Sequence, residues 1–180
     1  MALTESTMMA LGTQAPDFSL PQPRDGATLQ LAQVRGERAT VVCFICNHCP
    51  FVKHIEAGLV QLAQDYQPRG IGLVAISAND AANFPADGPD QIAAKAYPFA
   101  YLYDATQAVA RGYGAACTPD FFLFDQALRC IYRGQFDDSR PGNDVPVSGA
   151  SLRAALDAVL DGRPVSREQR PSMGCNIKWK

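Results

Sequence analysis

Cysteine, histidine and proline side chains lie together where an apolar segment ends, in the run Cys46-Asn47-His48-Cys49-Pro50. The apolar, β-branched-rich residues 40–45 predict a buried strand, and Pro50 suits the first position of a helix. Cys49 is therefore expected at a helix N-terminus, where unpaired backbone N–H groups and the helix dipole favour a thiolate. Lys53, or a protonated histidine, would add positive charge nearby. This arrangement predicts that Cys49 is the nucleophile of a thiol redox protein.

A redox cycle needs a second sulfur, and the sequence leaves its source open. Cys46 precedes Cys49 in a CxxC pair, and it lies at the end of the predicted strand. Cys175, in Gly174-Cys175-Asn176, would serve if the C-terminal tail folds back over the site. An external thiol is the remaining source. The sequence therefore predicts Cys46 or Cys175 as the resolving thiol, with Cys46 preferred.

Both histidines of the chain flank Cys49. His48 would donate a hydrogen bond to the thiolate or shuttle a proton near neutral pH, or else remain a solvated loop residue. His54 lies at the edge of the apolar stripe of the predicted helix, so we expect it at the surface.

Metal binding is a different class of function for the same segment. Soft ligands suited to Cu(I) or Zn(II), as a copper- or metal-binding chaperone would use, occur close together in sequence: Cys46, His48, Cys49 and His54. A third class is a non-catalytic binding module, in which Cys49 would be an inert buried thiol. That class predicts no thiol of low pKa and no redox effect of replacing Cys49.

The remaining cysteines are expected to be structural. Cys43 and Cys130 fall within apolar predicted strands and should belong to the core, and Cys117 fills space beside Thr118-Pro119. Six cysteines in a chain large enough for a full core indicate redox catalysis or metal binding, and not a disulfide framework.

Composition limits the class of protein. With 180 residues, 47% of them hydrophobic and 19% charged, the chain suits one globular domain over 1–180, with an arm at 1–14 and a tail at 163–180. A net charge of −2 and the lack of a basic run argue against nucleic acid as a partner. The apolar runs are too short for a membrane span and residues 1–12 lack a secretory signal, so we expect a cytoplasmic protein. The sequence indicates no oligomeric state.

The predicted elements follow the order β-α-β-α-β-α-β-β-α, after short edge strands at 16–20 and 28–31. Helices are predicted at 50–66, 91–96, 105–113 and 151–160, and strands at 40–45, 71–77, 99–103, 121–124 and 130–133. Crossover helices join parallel strands, and the last two strands form an antiparallel hairpin. The pattern predicts an α/β domain with a mixed central sheet, helices on both faces and an N-terminal strand or hairpin extension.

Motifs in four segments carry a family likeness over nearly the whole chain: 15–20, 47–53, 113–125 and 171–179. They resemble the thioredoxin-fold superfamily and, within it, the alkyl hydroperoxide reductase/thiol-specific antioxidant branch, with a peroxiredoxin-like, thioredoxin-related group as the nearest match. The resemblance implies a thioredoxin-like fold.

In that family likeness, Cys49 corresponds to the attacking cysteine, and Thr118-Pro119 corresponds to a cis bond that faces it. The resemblance implies an oxidoreductase acting on a disulfide or a peroxide, with an external thiol reductant or a protein disulfide as its partner. No cofactor beyond the cysteines is implied. The chain departs from both family patterns, because Val52 stands at thioredoxin's second cysteine and Cys46 at the peroxiredoxin threonine.

Overall fold

The computed structural model describes residues 3–180. Within these residues the strands are β1 (Leu3–Glu5), β2 (Ser19–Pro21), β3 (Thr28–Gln30), β4 (Ala39–Phe44), β5 (Ile71–Ser77), β6 (Ala100–Tyr103), β7 (Cys117–Thr118), β8 (Asp120–Phe124), β9 (Cys130–Gly134) and β10 (Met173–Asn176). The α-helices are α1 (Leu31–Val34), α2 (Pro50–Tyr66), α3 (Pro89–Ala93), α4 (Ala108–Tyr113) and α5 (Ala150–Leu160), and short 3₁₀ helices span Gln67–Arg69 and Pro85–Asp87.

A five-stranded sheet in the order β6-β5-β4-β8-β9 forms the centre of the fold. β4, β5 and β6 are parallel, and β8 runs antiparallel to both β4 and β9. All six residues of β4 are buried, as expected of an apolar strand between two layers. The predicted mixed sheet is confirmed, the helix at 50–66 and the strand at 71–77 have their predicted bounds, and β2 and β3 form the predicted N-terminal hairpin.

Helices cover both faces of this sheet, as predicted. α2 and α5 pack on one face, in an apolar layer that includes Leu59. α1 and α4 pack on the other face, in a layer that includes Tyr113. Cys43 belongs to the first layer and Cys130 to the second, so both are core residues, as their positions within apolar strands predicted.

Residues near both ends of the chain meet in a second sheet, of order β1-β10-β7. The arm predicted at 1–14 contains a strand, because residues 3–5 pair antiparallel with residues 173–175. Residues 1 and 2 of that predicted arm lie outside the described residues. On its other edge β10 pairs with β7, which sets Cys175 opposite Thr118. Strands this short carry too little periodicity for a sequence pattern to reveal.

Helix bounds differ from prediction where local contacts decide the first turn. α4 begins at Ala108 rather than at 105, because Gln107 is left-handed (φ 64) and the Asp104 carboxylate accepts a hydrogen bond from the Ala110 N–H. α3 spans Pro89–Ala93 rather than 91–96. Between residues 3 and 180, no helix is long and apolar enough to cross a membrane.

Candidate active site

Cys49 lies at the junction between β4 and α2. It is the N-cap residue of α2, and Pro50 follows it in the first turn. Its backbone is extended (φ −67, ψ 124), and its carbonyl accepts a helical hydrogen bond from the Lys53 N–H at 3.0 Å. The Cys49 side chain is completely buried. Cys49 therefore lies at a helix N-terminus, as its sequence position predicted.

Cys175 is the sulfur nearest to Cys49 across the fold. Its Sγ lies 2.8 Å from the Sγ of Cys49, although the two residues are far apart in sequence. The pairing of β10 with β7 creates this contact, because it sets Cys175 opposite Thr118, whose carbonyl oxygen lies 3.3 Å from the Cys49 sulfur. Both thiols are free in this structure. The tail thus folds back over Cys49.

Cys46 lies on the other side of Cys49, just beyond the end of β4. It is buried, and its Sγ lies 3.5 Å from the Thr118 hydroxyl oxygen. Cys46, Cys49 and Cys175 therefore form one buried cluster around Thr118.

The pKa values of these thiols are driven apart. The pKa of Cys49 falls well below its ordinary value of 9.0, chiefly because Cys46 donates a hydrogen bond to the thiolate, with further help from Cys175, Thr118 and the Val52 N–H. The pKa of Cys46 is raised because its proton is held by that hydrogen bond and because the thiol is buried. Burial, and then the bond to Cys49, raise the pKa of Cys175 as well. The cluster thus favours one thiolate, on Cys49, flanked by two thiols.

Thr118 and Pro119 form the wall facing these sulfurs. The Thr118–Pro119 peptide bond is cis, as the family resemblance implied. The carbonyl oxygen of Thr118 lies 3.3 Å from the Cys49 Sγ, and its hydroxyl oxygen lies 3.5 Å from the Cys46 Sγ. Cys117 is buried and its Sγ lies 3.7 Å from the Pro119 carbonyl oxygen, which fits the predicted space-filling role.

The Nδ1 atom of His48 bonds to Asp87 and not to the Cys49 thiolate. Its Nδ1 pairs closely with Asp87, and its ring stacks on Phe84 at 5.5 Å between centroids. Asp87 is fully buried and also accepts hydrogen bonds from the N–H groups of Asn47 and His48 and from the Asn79 amide at 2.7, 3.1 and 2.8 Å. Asp87 therefore fixes the turn that leads into Cys49.

Sequence reasoning missed Asp87, which falls in a segment rich in Asn, Asp, Pro and Gly between β5 and α3. The available signal was its position shortly after β5, because parallel β4 and β5 end at the same edge of the sheet. An acidic side chain at that edge could reach the turn following β4. The close approach of residues 47 and 87 is the outcome.

The structure does not support the roles predicted for Lys53 and His54. Lys53 is exposed on α2, and the low pKa of Cys49 is explained first by the neighbouring thiol. His54 is half-buried rather than at the surface, and its Nε2 has no hydrogen-bond partner among residues 3–180. It borders a small cleft with Phe51 and Arg140.

The four ligands foreseen for a metal do not form one cluster. In the described part of the chain, the group whose ligand atoms lie within 4.8 Å of one another consists of Cys46, His48 and Asp87. Cys49 and His54 are not members of that group. The predicted ligand set is therefore corrected to one that includes Asp87.

A second buried carboxyl, Asp120, begins β8 directly after Pro119. Neither carboxyl oxygen has a hydrogen-bond partner within residues 3–180. Burial raises the pKa of Asp120 well above its ordinary value, although the nearby N–H groups of Phe121 and Ala116 act in the opposite direction. Asp120 in turn helps to raise the pKa of Cys117, after burial itself. These effects favour a protonated Asp120.

A cavity of about 390 Å³ lies between α5 and residues 163–170. Its lining includes Tyr132, Gln135 and Ser151 but no cysteine. This cavity is therefore not part of the sulfur cluster.

Two solved structures are similar to this chain over nearly its whole length. An uncharacterised conserved protein from Geobacillus kaustophilus is 55% identical, with a TM-score of 0.95 over 100% of this chain and 97% of that one. A hypothetical protein from Sinorhizobium meliloti 1021 is 50% identical, with a TM-score of 0.94 over 98% of each chain. No significant match is found among curated protein sequences.

More distant structures share the fold alone. The thioredoxin domain of a thiol-disulfide oxidoreductase from Bacteroides vulgatus is 16% identical, with a TM-score of 0.59 over 73% of this chain and 92% of that one. The thioredoxin-like fold implied by the sequence motifs is thus confirmed. The AhpC/TSA family profile matches residues 11–132, which include the strand, the Cys49 junction and the Thr118–Pro119 turn. The chain belongs to the AhpC/TSA family, the alkyl hydroperoxide reductase/thiol-specific antioxidant branch of the thioredoxin-fold proteins.

Proposed function

We propose that the protein is a dithiol oxidoreductase in which Cys49 attacks a disulfide or a hydroperoxide and Cys175 resolves the product. The observation that carries this proposal is the 2.8 Å separation of the two sulfur atoms. A disulfide bond is about 2.05 Å long, so closing the pair requires a movement of less than about 1 Å. Cys175 is therefore favoured over Cys46 as the resolving thiol.

The proposed reaction has two steps. With a hydroperoxide, the Cys49 thiolate attacks the terminal oxygen and the O–O bond breaks, which leaves Cys49 as a sulfenic acid and releases an alcohol or water after protonation. With a disulfide, the thiolate displaces one sulfur as a thiol and retains the other in a mixed disulfide. Cys175 then attacks the Cys49 sulfur, releasing water or the second thiol. Each cycle oxidises two thiols and passes two electrons to the substrate.

Cys46 has a supporting role in this proposal. Hydrogen bonding from the Cys46 thiol is the largest cause of the low pKa of Cys49. Its own pKa is raised, so Cys46 keeps its proton while Cys49 reacts. Thr118 adds a hydroxyl near both sulfurs.

An external thiol reductant would return the Cys49–Cys175 disulfide to the dithiol. The cytoplasm, the compartment expected from the sequence, supplies such reductants and keeps free cysteines reduced. The cysteines need no further cofactor for this chemistry. A protein disulfide is the other partner foreseen from the family resemblance.

Disulfide mapping by peptide mass spectrometry tests the proposal. The reduced protein is treated briefly with hydrogen peroxide, quenched and digested, with Cys49→Ser, Cys175→Ser and Cys46→Ser in parallel and Cys130→Ser as the control in the opposite core layer. We expect a Cys49–Cys175 bond in the wild type, Cys46→Ser and the control. Cys175→Ser should instead accumulate oxidised Cys49.

Two outcomes would contradict the proposal. A Cys46–Cys49 bond as the main product would make Cys46 the resolving thiol. A Cys49 thiol that stays reduced under all conditions would favour the non-catalytic binding module.

Metal binding is the second candidate, because Cys46, His48 and Asp87 bring ligand atoms within 4.8 Å of one another. It has weaker support, since Asp87 already accepts hydrogen bonds from two backbone N–H groups and from Asn79. Titration of the reduced protein with Zn(II) or Cu(I) tests it. Stoichiometric binding that is lost in both Cys46→Ser and His48→Ala would favour metal delivery.

A further inference from the structure

The edge of β7 bears on which class of substrate can reach Cys49. β7 is the two-residue strand Cys117–Thr118 beside Cys49, and its backbone groups could pair with an extended polypeptide. Addition of a strand to an exposed sheet edge is a common way to bind a peptide. In this chain β10 already pairs with that edge, with Cys175 opposite Thr118 and Asn176 opposite Cys117. The protein's own C-terminal segment therefore takes the place of a bound peptide.

The sulfur of Cys175 lies where the cysteine of such a peptide would have to be. The register that sets Cys175 opposite Thr118 also brings its Sγ to 2.8 Å from the nucleophile. The side chain of Cys49 is 0% exposed and that of Cys175 is 3% exposed. A polypeptide disulfide could reach Cys49 in this orientation only after β10 has left.

Gly174 allows this close approach. A Cβ at residue 174 would lie 1.9 Å from the Thr118 carbonyl oxygen and 3.3 Å from Cδ of Pro119. Atoms cannot approach that closely, so any side chain at this position would push β10 away from β7. The glycine is thus required for β10 to cover the site.

Several contacts hold β10 in place on both sides. Along one edge it pairs with β1, and along the other with β7, so neither edge is free. The Ser172 hydroxyl donates to the Pro119 carbonyl at 2.5 Å, and the Ser172 N–H donates to the Ser6 hydroxyl at 2.8 Å. Beyond the strand, the Ile177 N–H donates to the Ala116 carbonyl at 3.0 Å. A polypeptide bound in this orientation would have to replace these bonds, whereas a small molecule has no backbone to pair with β7 and would not replace them.

We infer that β10 acts as a built-in peptide that closes the β7 edge, so that the substrate of Cys49 is a small oxidant with an unhindered O–O or S–S bond and not a polypeptide disulfide. This inference rests on the proposed function, and it names the substrate class of the same site. Oxidation follows the two steps given above.

The test compares oxidants of different size on the reduced protein. Hydrogen peroxide, cystamine and a short unstructured peptide dimerised through one disulfide are the oxidants. The rate of loss of the Cys49 thiol is measured by peptide mass spectrometry. Each rate is divided by the rate of free cysteine with the same oxidant, which removes intrinsic differences in reactivity. We expect the peptide disulfide to be disfavoured relative to cystamine by more than about tenfold in the wild type, the effect of at least one hydrogen bond lost.

Gly174→Ala should release β10 and raise the peptide-to-cystamine rate ratio by about tenfold or more, with a mixed disulfide between Cys49 and the peptide accumulating. Gly112→Ala is the matched control, because a Cβ at that helical position would meet only Pro16 at an ordinary 3.7 Å. Circular dichroism checks the fold of each variant. Should Gly174→Ala fail to fold, Ser172→Ala removes one anchoring hydrogen bond without adding bulk and should raise the same ratio.

Cys175→Ser adds a measurement that leaves β10 intact. It should accumulate a mixed disulfide with cystamine but not with the peptide. Either of two results would overturn the inference: a wild-type peptide-to-cystamine rate ratio equal to that of free cysteine, or a ratio that stays unchanged when Gly174→Ala or Ser172→Ala loosens β10. The proposed function would still stand. If no oxidant modified Cys49 in any form of the protein, the proposed function would fail and this inference with it.

Discussion

Replacing Cys46 by alanine tests how the site holds Cys49 as a thiolate. Cys46 donates the hydrogen bond that contributes most to lowering the pKa of Cys49. Alanine removes the donor and leaves the other three in place, namely Cys175, Thr118 and the Val52 N–H. We therefore expect the pKa of Cys49 to rise without returning fully to its ordinary value.

The expected size of the change follows from the strength of one hydrogen bond to a charged group. Such a bond contributes about 1.5–3 kcal/mol, and one pKa unit corresponds to about 1.4 kcal/mol. Loss of the Cys46 donor should therefore raise the pKa of Cys49 by about one to two units. Cys46→Ser keeps a donor at the same position and should restore part of the shift.

Thiolate absorbance in the ultraviolet, followed against pH, measures this pKa directly. The signal belongs to Cys49 alone in the acidic and neutral range, because the pKa values of the other cysteines are raised: Cys43, Cys46, Cys117, Cys130 and Cys175. The Cys49→Ser protein should lose the transition and so assigns it. Cys130→Ala is the matched control, since it removes a buried thiol from the opposite layer.

The outcome separates two roles for Cys46. A raised pKa together with an intact Cys49–Cys175 disulfide identifies Cys46 as a positioning residue that acts through Cys49. An unchanged titration in Cys46→Ala would refute the reasoning, because the thiolate would then depend on the helix N-terminus and the remaining donors alone.

Two further predictions concern buried carboxyl groups. Asp87→Ala should reduce the free energy of unfolding by about 3 kcal/mol or more, because several buried donors lose their acceptor. Urea unfolding measures this change, and Asp90→Ala, at an exposed position, is the control. A loss under about 1 kcal/mol would contradict the prediction. For Asp120, burial raises the folded-state pKa above the ordinary 3.8, so the stability of the wild type falls as pH rises above that value and the unfolded chain releases the proton. Asp120→Asn should therefore raise the urea midpoint more at neutral pH than at acid pH, and a difference that does not vary with pH would show that Asp120 is ionised in the folded protein.

Much of the fold could be predicted from the sequence because its central elements are long and strongly patterned. The α2 stripe and the continuous apolar run of β5 gave their exact bounds. The position of Cys49 followed from the same logic, since a buried strand followed by Pro50 fixes a helix N-terminus. Local patterns of this kind depend on neighbouring residues only, which is why they are visible in one sequence.

The pairing of Cys49 with Cys175 was harder to predict, because it depends on contacts between distant segments. Residues 163–180 show little periodicity, and β10 is ordered by backbone hydrogen bonds to β1 and β7. CxxC spacing made Cys46 the preferred partner, yet the structure brings Cys175 to 2.8 Å. Gly174 was a usable signal, since a residue without a side chain allows a backbone to approach closely.

The charge on Cys49 also sets the order of the proposed reaction. Burial raises the pKa of Cys175 most; while Cys49 is a thiolate, its hydrogen bond and its negative charge raise that pKa further, so Cys175 is held as a thiol. Oxidation of Cys49 to a sulfenic acid or a mixed disulfide removes that charge, and both of these effects disappear. Lys178, which favours the charged form of Cys175, then acts with less opposition. The resolving thiol thus becomes easier to ionise only after the first step has made its target, because the same 2.8 Å contact both restrains Cys175 and directs its attack.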